Sequence, residues 1–370
     1  MVGGGDYPAA FVPSVLHVLP HRGGGGETYV QLLESGSPFG HDRVALSAGR
    51  APAQAAASLA ARWPAVAWAA RGADIVHVHG DTASLLALPL LRVRPSVITT
   101  HGLHLLRRVQ GPVRAAVVRG LRAGAQAADR VICTSYAERD ELAALLPAAA
   151  AQRLVVVHNG IELPPRVDPG ERGAARAELG LGEDEVAALF LGELHERKAP
   201  LDAVAAAQAA RARGAPLVLL LAGDGPQAVA VRERAGVAVR PLGFRADVHR
   251  LLAAADLLVM PSSREGLSFA VLEAMGRGVA MVVSDGPGNP EAVGDAGVVV
   301  PVGDRAALAT ALTRLAGDGE ERARLGAAAR ERVATRFTLE ALRAGVEAAY
   351  RAALDAPGRR RDGAVAAQRR

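Results

Sequence analysis

The chain has 370 residues, of which 50% are hydrophobic and 22% charged, and its formal net charge is +5. This length and composition predict two globular domains. Cys133 is the single cysteine, which excludes an intrachain disulfide and the cysteine-rich zinc modules and favours a reduced, cytosolic setting. The first residues do not resemble a signal peptide, and no uncharged apolar run reaches the ~18 residues of a membrane-spanning helix.

Short apolar runs alternate with alanine-rich helical segments in the first half of the chain. Runs of this length between helices predict a parallel sheet that is covered on both faces. The runs are "SVLHVLP" (14–20), "DRVALSAG" (42–49), "ADIVHVHG" (73–80), "PSVITTHG" (95–102), "ADRVICTS" (128–135) and "RLVVVHNGI" (153–161).

A segment rich in proline, glycine and charge, "ELPPRVDPGERG" (162–173), predicts a linker, after which the pattern restarts. Helical pattern then fills 305–353, and the basic tail 355–370 has no apolar periodicity, so we expect it to be disordered. The second set of runs is "VAALFLGEL" (186–194), "APLVLLLAGDGP" (215–226), "GVAVRPLGF" (236–244), "ADLLVMPSS" (255–263), "VAMVVSD" (279–285) and "AGVVVPVGD" (296–304). The sequence therefore predicts an α/β protein of two doubly wound, Rossmann-like domains, with ligand sites at the carboxyl ends of the strands.

The segment "REGLSFAVLEAMGRG" holds two glutamates, Glu265 and Glu273, with seven residues between them. A helix that begins near Leu267 or Ser268 would direct free N–H groups at an anion, and Gly266 would let a ligand approach the backbone. The carboxylate of Glu273 can accept two hydrogen bonds, which suits a pair of vicinal sugar hydroxyls. On spacing alone, an ordinary helix with two surface acids remains the alternative.

Several stretches occur in a fixed order: "GGGGE", "THG", "HNGIE", "FLGELHERK", "LLLAGDGP", "PLGFRADV", "EGLSFAVLEAMGRG" and "GNPEAVGDAG". With this ordered set, residues 14–350 resemble a glycosyltransferase of the large retaining family 4. The resemblance implies the GT-B fold, in which two Rossmann-like domains face each other across a cleft. The implied domains are an acceptor domain (1–165), a donor domain (166–335) and a last helix (336–354) that crosses back to the first domain.

The resemblance also implies an activity. A retaining glycosyltransferase of this type moves a sugar from a nucleotide-sugar co-substrate, a UDP-sugar or GDP-mannose, to an acceptor hydroxyl. The acceptor is a sugar or a lipid-linked sugar, as in the biosynthesis of cell-surface polysaccharides, glycolipids or glycoconjugates. The attack comes from the front face, and the leaving diphosphate helps to deprotonate the acceptor.

Site roles in the second domain follow from the same resemblance. Glu273 would bind the ribose hydroxyls, and Glu265 would lie near the transferred sugar. Gly266, Leu267 and Ser268 would give backbone contacts to sugar and phosphate.

The resemblance also implies roles for residues in other loops. Lys198 would neutralise the diphosphate, and the glycine loop with Gly24 and Gly25 would close over the phosphates. His101, at a strand end, would face the donor sugar. Glu291 would lie at the rim of the donor domain, where it would touch donor or acceptor or cap a helix.

The chain departs from the family pattern beside the lysine. Glu193 stands where the family has a diphosphate-binding arginine, and Arg197 is the candidate substitute because a guanidinium can hold two phosphate oxygens. A solvated surface role for Arg197 is the alternative. Ala199 replaces a family glycine, a change that we expect to matter less.

The sequence predicts no metal site and no required cofactor, because no Asp-x-Asp motif follows a strand, and Lys198 with a helix N-terminus can replace a cation. We expect His77 and His79 to point to opposite faces of their strand and therefore not to share a metal ion. His17, His104 and His158 are interpreted as structural.

Residues 82–128 contain no acid but several arginines, which indicates an anionic partner or, alternatively, a solvated helix face. A membrane surface with a lipid-linked acceptor is favoured, which would make the protein cytoplasmic and peripheral at the inner face of the membrane. Nucleic acid is not expected, because aromatic stacking residues are missing nearby. The arginines are Arg107, Arg108, Arg114, Arg119 and Arg122.

Two rival functions remain open at this point. A sugar-nucleotide epimerase could use the same fold and would need no acceptor. A non-catalytic sugar-nucleotide-binding protein is the second rival, and Glu193 in place of the arginine is the feature that favours it.

Overall fold

The computed structural model describes residues 12–47 and 52–356, with side chains described for 12–47 and 61–356. The chain divides into two compact units. The first comprises the chain up to Thr134, Glu138–Val157 and the chain from Arg343 onward, and the second comprises Ser135–Ala137 and His158–Leu342. Apart from its first two residues, the tail 355–370 lies outside the described residues.

The first unit is built on a sheet of six parallel strands. The strands are β1 (Ser14–His21), β2 (Gly40–Ser47), β3 (Ile75–His79), β4 (Ser96–Thr99), β5 (Arg130–Cys133) and β6 (Leu154–Val156). Their order in the sheet is β2-β1-β3-β4-β5-β6, so the direction of winding reverses between β1 and β3. That reversal brings the loops after β1 and β3 side by side.

Helices connect these strands, and one short 3-10 turn covers Leu90–Arg92. The helices are α1 (Gly25–Glu34), α2 (Pro52–Gly72), α3 (Gly80–Leu86), α4 (His104–Arg108), α5 (Gly111–Ala127), α6 (Tyr136–Ala143) and α7 (Ala148–Ala151).

The second unit repeats the plan with six further parallel strands. They are β7 (Val186–Leu191), β8 (Leu217–Ala222), β9 (Val239–Gly243), β10 (Leu257–Met260), β11 (Ala280–Ser284) and β12 (Val298–Val300). The sheet order is β12-β11-β10-β7-β8-β9, which is the order of the dinucleotide-binding fold. Its reversal lies between β7 and β10, where such sheets bind ligands.

The helices of this half of the chain include two 3-10 turns, Glu196–Lys198 and Gly294–Ala296. The α-helices are α8 (Pro169–Glu178), α9 (Pro200–Ala212), α10 (Ala228–Arg232), α11 (Val248–Ala254), α12 (Phe269–Gly276), α13 (Asn289–Val293), α14 (Arg305–Gly317), α15 (Gly319–Arg336) and α16 (Leu339–Leu354). Within residues 12–47 and 52–356, none of the helices combines the length and the hydrophobicity of a membrane-spanning segment.

Each sheet buries both of its faces. In β7, Ala188 and Phe190 pack into one hydrophobic cluster while Ala187 and Leu189 pack into another, as strand alternation requires. This double burial explains why the strands appear in the sequence as unbroken apolar runs. Every predicted run contains a strand, and the α/β class with two Rossmann-like units is confirmed.

Two elements add detail that the sequence pattern lacked. The predicted linker already contains the first turn of α8. Asp168 caps this turn by accepting hydrogen bonds from the backbone N–H groups of Gly170 and Glu171, and a proline is the first helical residue. The last helix carries Tyr350 into the first unit, where its ring packs edge-on against Phe39.

Candidate active site

The central feature of the second unit is a carboxylate held between two cations. Glu265, which is 6% exposed, places Oε1 at 2.8 Å from Nζ of Lys198 and at 3.0 Å from Nη1 of Arg197. The two cations lie on the 3-10 turn after β7, and Glu265 follows β10. The cluster therefore lies at the carboxyl ends of the two strands that flank the reversal of the sheet.

Close backbone contacts lock the surrounding loops together. A Cβ atom at Gly223 would lie 1.8 Å from the carbonyl oxygen of Gly192, and one at Gly288 would lie 1.4 Å from that of Gly266. Only glycine fits at these two positions, and both also have positive φ. The loops after β7 and β8, and those after β10 and β11, are thus fixed in pairs around the Lys198–Glu265 contact.

Glu273 is the most unusual acid of this unit. It lies on α12, is half-buried, and has no hydrogen bond or ion pair among the described side chains. Burial raises the pKa of its carboxyl from 4.5 to about 7. A desolvated carboxyl with no protein partner is ready to accept hydrogen bonds from a ligand.

The start of α12 is set by a residue that sequence reasoning did not single out. Ser268 is the N-cap and Phe269 the first helical residue, close to the predicted start. The buried side-chain amide of Asn159 donates to the carbonyl oxygen of Leu267 at 2.5 Å. The only signal for this contact in the sequence is the family stretch "HNGIE", which contains Asn159.

The turn that carries Lys198 ends in a left-handed residue. Ala199 has a φ of 52° and a ψ of 48° and is the N-cap of α9. This conformation favours glycine, so the replacement of the family glycine has a backbone cost. Glu193 is half-buried in the loop after β7, on the same loop as Lys198.

Glu291 already has protein partners. Its carboxylate accepts hydrogen bonds from the backbone N–H of Tyr136 at 2.8–2.9 Å and contacts Nε2 of His158 at 2.6 Å. These hydrogen bonds hold the pKa of the Glu291 carboxyl below its usual value, against the effect of burial. Its predicted contact with donor or acceptor stays a prediction.

In the first unit, the glycine loop follows β1 directly. Gly24 is the exposed N-cap of α1 with a φ of 81°, and Gly25 is the first helical residue. Glu27 accepts a hydrogen bond from the backbone N–H of Gly23, which fixes the loop. Both predicted phosphate-contact glycines therefore lie at the exposed start of a helix.

His101 lies on a strained loop after β4. His101 and Leu103 have φ values of 53° and 48°, a conformation that L-residues rarely adopt. Two buried acids stabilise the loop: Glu138 accepts from the N–H of Gly102, and Asp81 accepts from the first N–H groups of α4. Neither acid was predicted from the sequence.

The expectation for the strand histidines is wrong. His77 and His79 lie on the same face of β3, with ring centroids 4.1 Å apart, because side chains two residues apart share a face of a strand. His17 of β1 pairs in register with His77, and the three buried rings place one nitrogen each within 4.8 Å of the others. Both nitrogens of His77 contact hydroxyl groups, those of Tyr350 and Thr99, each at 2.7 Å.

One of the five arginines predicted to bind an anionic partner is not exposed. The side chain of Arg107 is only 9% exposed and pairs with Glu141, so it is not available at the surface. The other four arginines are exposed along α4 and α5: Arg108, Arg114, Arg119 and Arg122.

Comparisons with known proteins bear on both units. Residues 17–163 match the family model for Glycosyltransferase Family 4, and residues 185–318 match the model for Glycosyl transferases group 1. The chain is 32% identical to alpha-maltose-1-phosphate synthase of Mycolicibacterium smegmatis, with 73% of this chain and 76% of that protein covered. It is 33% identical to D-inositol 3-phosphate glycosyltransferase of Saccharomonospora viridis, with 73% and 68% covered.

Solved structures show the same fold. Sucrose-phosphate synthase of Thermosynechococcus elongatus matches with a TM-score of 0.77 at 23% identity, covering 92% of this chain and 98% of that one. The Anabaena protein HepE in complex with UDP-glucose matches with a TM-score of 0.74 at 20% identity, covering 90% and 98%. The two Rossmann-like units and the Lys198–Glu265 cluster fit the family that these matches indicate. The chain belongs to glycosyltransferase family 4.

Proposed function

We propose that this protein is a retaining hexosyltransferase that needs no metal ion and transfers a sugar from a nucleotide-sugar donor to an acceptor hydroxyl. The observation that carries the proposal is the contact of Glu265 with Lys198 and Arg197, together with the unpartnered carboxyl of Glu273 on α12, the helix that begins four residues after Glu265. Together these groups match the three parts of a donor: sugar, diphosphate and ribose.

The two cations support the leaving-group role. A diphosphate gains negative charge as the sugar–phosphate bond breaks, and fixed positive charge in a partly buried site stabilises that charge. Lys198 and Arg197 supply such charge from one short turn, and a guanidinium can hold two phosphate oxygens. Arg197 is thus proposed to do the work of the family arginine that Glu193 replaces.

The isolated acid supports the ribose role. Glu273 lies five residues after the N-cap of α12, so a phosphate at the helix start would leave the nucleoside within its reach. Gly266, Leu267 and Ser268 are proposed to contact sugar and phosphate through the backbone. Gly24, Gly25 and His101 are the groups proposed to act from the first unit.

Donor and acceptor classes are proposed from the relatives. HepE binds UDP-glucose, which favours a UDP-sugar over GDP-mannose. Two relatives are named for phosphorylated compounds, maltose 1-phosphate and inositol 3-phosphate, so a phosphorylated sugar or polyol joins a lipid-linked sugar as a candidate acceptor. The exposed arginines from Arg108 to Arg122 support a cytoplasmic enzyme that works at an anionic membrane surface.

The test is a donor screen followed by product analysis. Thermal unfolding is measured with UDP, GDP, ADP and their common sugars, without and with Mg²⁺, because a ligand at 100 times its Kd adds about 2.7 kcal/mol. The best donor is then incubated with each acceptor, and NMR gives the anomeric configuration of the product. Inverted configuration refutes the retaining mechanism, dependence on Mg²⁺ refutes metal independence, and sugar conversion without an acceptor favours the epimerase.

A further inference from the structure

Three arginines of the second unit meet at the C-terminal end of α12. Arg277 is the C-cap of this helix, Arg330 lies on α15, and Arg166 lies in the linker segment (162–173). Burial, followed by the positive charges of Arg166 and Arg277, lowers the pKa of Arg330, and no acid of the described residues reverses this shift. The three guanidinium groups therefore lie close enough together to repel one another.

These guanidinium groups have few protein partners. Arg330 donates from Nη1 to the carbonyl oxygen of Gly276, the last helical residue of α12. Arg277 donates from Nη1 to the carbonyl oxygen of Pro165 at 3.5 Å, and the same nitrogen lies 3.9 Å from Oε1 of Glu171. Within the described part of the chain, that long contact is the one ion pair of the cluster. Three positive charges thus face a single negative charge.

The cluster is recessed, and its backbone is fixed. The side chain of Arg277 is only 12% exposed, so its guanidinium has lost most of its contact with water. The linker packs tightly against the helix, because a Cβ atom at Gly276 would lie 3.0 Å from Cδ of Pro164. Arg166 follows Pro164 by two residues and is held beside the end of the helix. A desolvated cation with so few hydrogen bonds is stabilised by binding an anion.

Capping of the helix is the simpler interpretation of arginines at this place, because cations interact favourably with the negative end of the helix dipole. One arginine is enough for that role, and Arg330 performs it through Gly276. Arg277 turns instead to the linker carbonyl of Pro165, and Arg166 forms no hydrogen bond with any residue that the structure describes. Capping therefore leaves two of the three cations without an explanation.

We propose that Arg166, Arg277 and Arg330 form a binding site for a phosphate group that does not belong to the donor. A phosphate monoester carries a charge of about −2 at neutral pH, which matches the excess of two positive charges. Its oxygens can accept hydrogen bonds from the planar forks of several guanidinium groups at once. A carboxylate offers a single charge and two oxygens and fits less well. The recess favours a small soluble compound over a lipid headgroup, although both carry the phosphate that the arginines recognise.

This phosphate site is distinct from the proposed donor site. The donor phosphate is proposed to lie at the start of α12, near Ser268, whereas the three arginines lie at the other end of the helix. The 8 residues of this helix span about 12 Å, which is too far for one diphosphate to contact both ends. The two sites should fill independently, and the inference does not depend on the proposed transferase function.

The first experiment measures phosphate binding by equilibrium dialysis with ³²P-labelled inorganic phosphate. We expect wild type to bind the ion and Arg166→Gln to raise its Kd at least about tenfold, because charge-assisted hydrogen bonds are lost. Arg166 is exposed and makes no hydrogen bond to the described residues, so this variant should fold normally. The matched control is Arg324→Gln on α15, whose side chain is 66% exposed. Its Kd should stay within about twofold of wild type.

A second set of measurements separates the two sites of this unit. Lys198→Ala removes a proposed donor contact and should leave phosphate binding at the arginines unchanged, and saturating UDP should not displace the labelled ion.

Flotation with phosphatidylglycerol vesicles separates the two sources of the phosphate group. Weaker flotation of Arg166→Gln than of Arg324→Gln assigns the site to a lipid headgroup. Equal flotation of the two variants assigns the site to a small soluble compound.

Three results overturn the inference. They are a wild-type protein that binds no labelled phosphate, equal Kd values for Arg166→Gln and Arg324→Gln, and phosphate binding that Lys198→Ala or UDP abolishes. A chain that binds phosphate at the arginines but binds no nucleotide refutes the proposed function alone.

Discussion

The half-buried carboxyl of Glu273 gives the sharpest test of the site, because stability and function should respond to its removal in opposite directions. Its pKa is raised from 4.5 to about 7, so the folded protein binds this proton more tightly than the unfolded chain does. Stability is therefore lost as pH rises from 4.5 to 7, and the loss is complete above pH 7. A difference of 2.5 pKa units corresponds to about 3 kcal/mol, an upper value because the group keeps some contact with solvent.

The variant Glu273→Gln keeps the shape of the side chain and removes its titration. We expect it to unfold at the same temperature as wild type near pH 4.5 and about 6–12 °C higher at pH 8. Donor binding should change in the other direction, since the amide offers only one acceptor oxygen to a vicinal diol. Donor affinity of the wild type should also fall as pH drops below 7, because the acid form accepts hydrogen bonds poorly.

The measurement is thermal unfolding from pH 4.5 to 8, with and without the donor found in the screen. Glu331→Gln, on the exposed face of α15, is the matched control and should follow wild type in both respects. The reasoning fails if Glu273→Gln and wild type unfold alike at pH 8. The ribose assignment fails if the stabilised variant binds the donor as tightly as wild type does.

Four further predictions concern the loops and the surface. Lys198→Ala should lower kcat by about 10²–10³ in a steady-state assay, because one fixed charge on the leaving group is lost, and an unchanged kcat would remove the lysine from the mechanism. Ala199→Gly should raise the free energy of unfolding by about 1 kcal/mol in urea titrations, since glycine relieves the left-handed strain, and a destabilised variant would contradict this. Gly288→Ala should cost more than about 2 kcal/mol and weaken donor binding, because its Cβ would overlap a carbonyl oxygen. Reversing Arg114 and Arg119 to glutamate should weaken binding to anionic vesicles at least tenfold in sedimentation assays, and salt-independent binding would exclude the electrostatic interaction.

The sequence predicted the strands well because both faces of each sheet are buried. Every β-strand is then a continuous apolar run, and the loop after it carries the polar residues. Lys198 and Glu265 lie in the polar loops after β7 and β10. These two strands are neighbours in a sheet of this order, so the two side chains could be expected to approach each other. The lack of a protein partner for Glu273 could not be predicted, because it depends on which side chains of the rest of the unit pack around α12.

Two contacts that were not predicted join distant parts of the chain. His17 meets His77 only through the register of β1 and β3, and Arg107 finds Glu141 across 34 residues. Neither partner can be read from a local pattern. The mistake with His77 and His79 was different, because strand geometry alone places residues two apart on one face.

In the proposed function, the pairing of Glu265 with two cations would make this acid a competitor of the donor. A diphosphate that approached Lys198 and Arg197 would gain only the difference between its own attraction to them and the one that Glu265 already provides. Simple anions, which offer nothing in return to the carboxylate, should therefore bind weakly. A complete donor would bring sugar hydroxyls that could hydrogen-bond to Glu265 and compensate for the lost contacts. After transfer, the return of Glu265 to the two cations would help to expel the more highly charged product, so the proposed function gives one ion cluster a part in both selectivity and turnover.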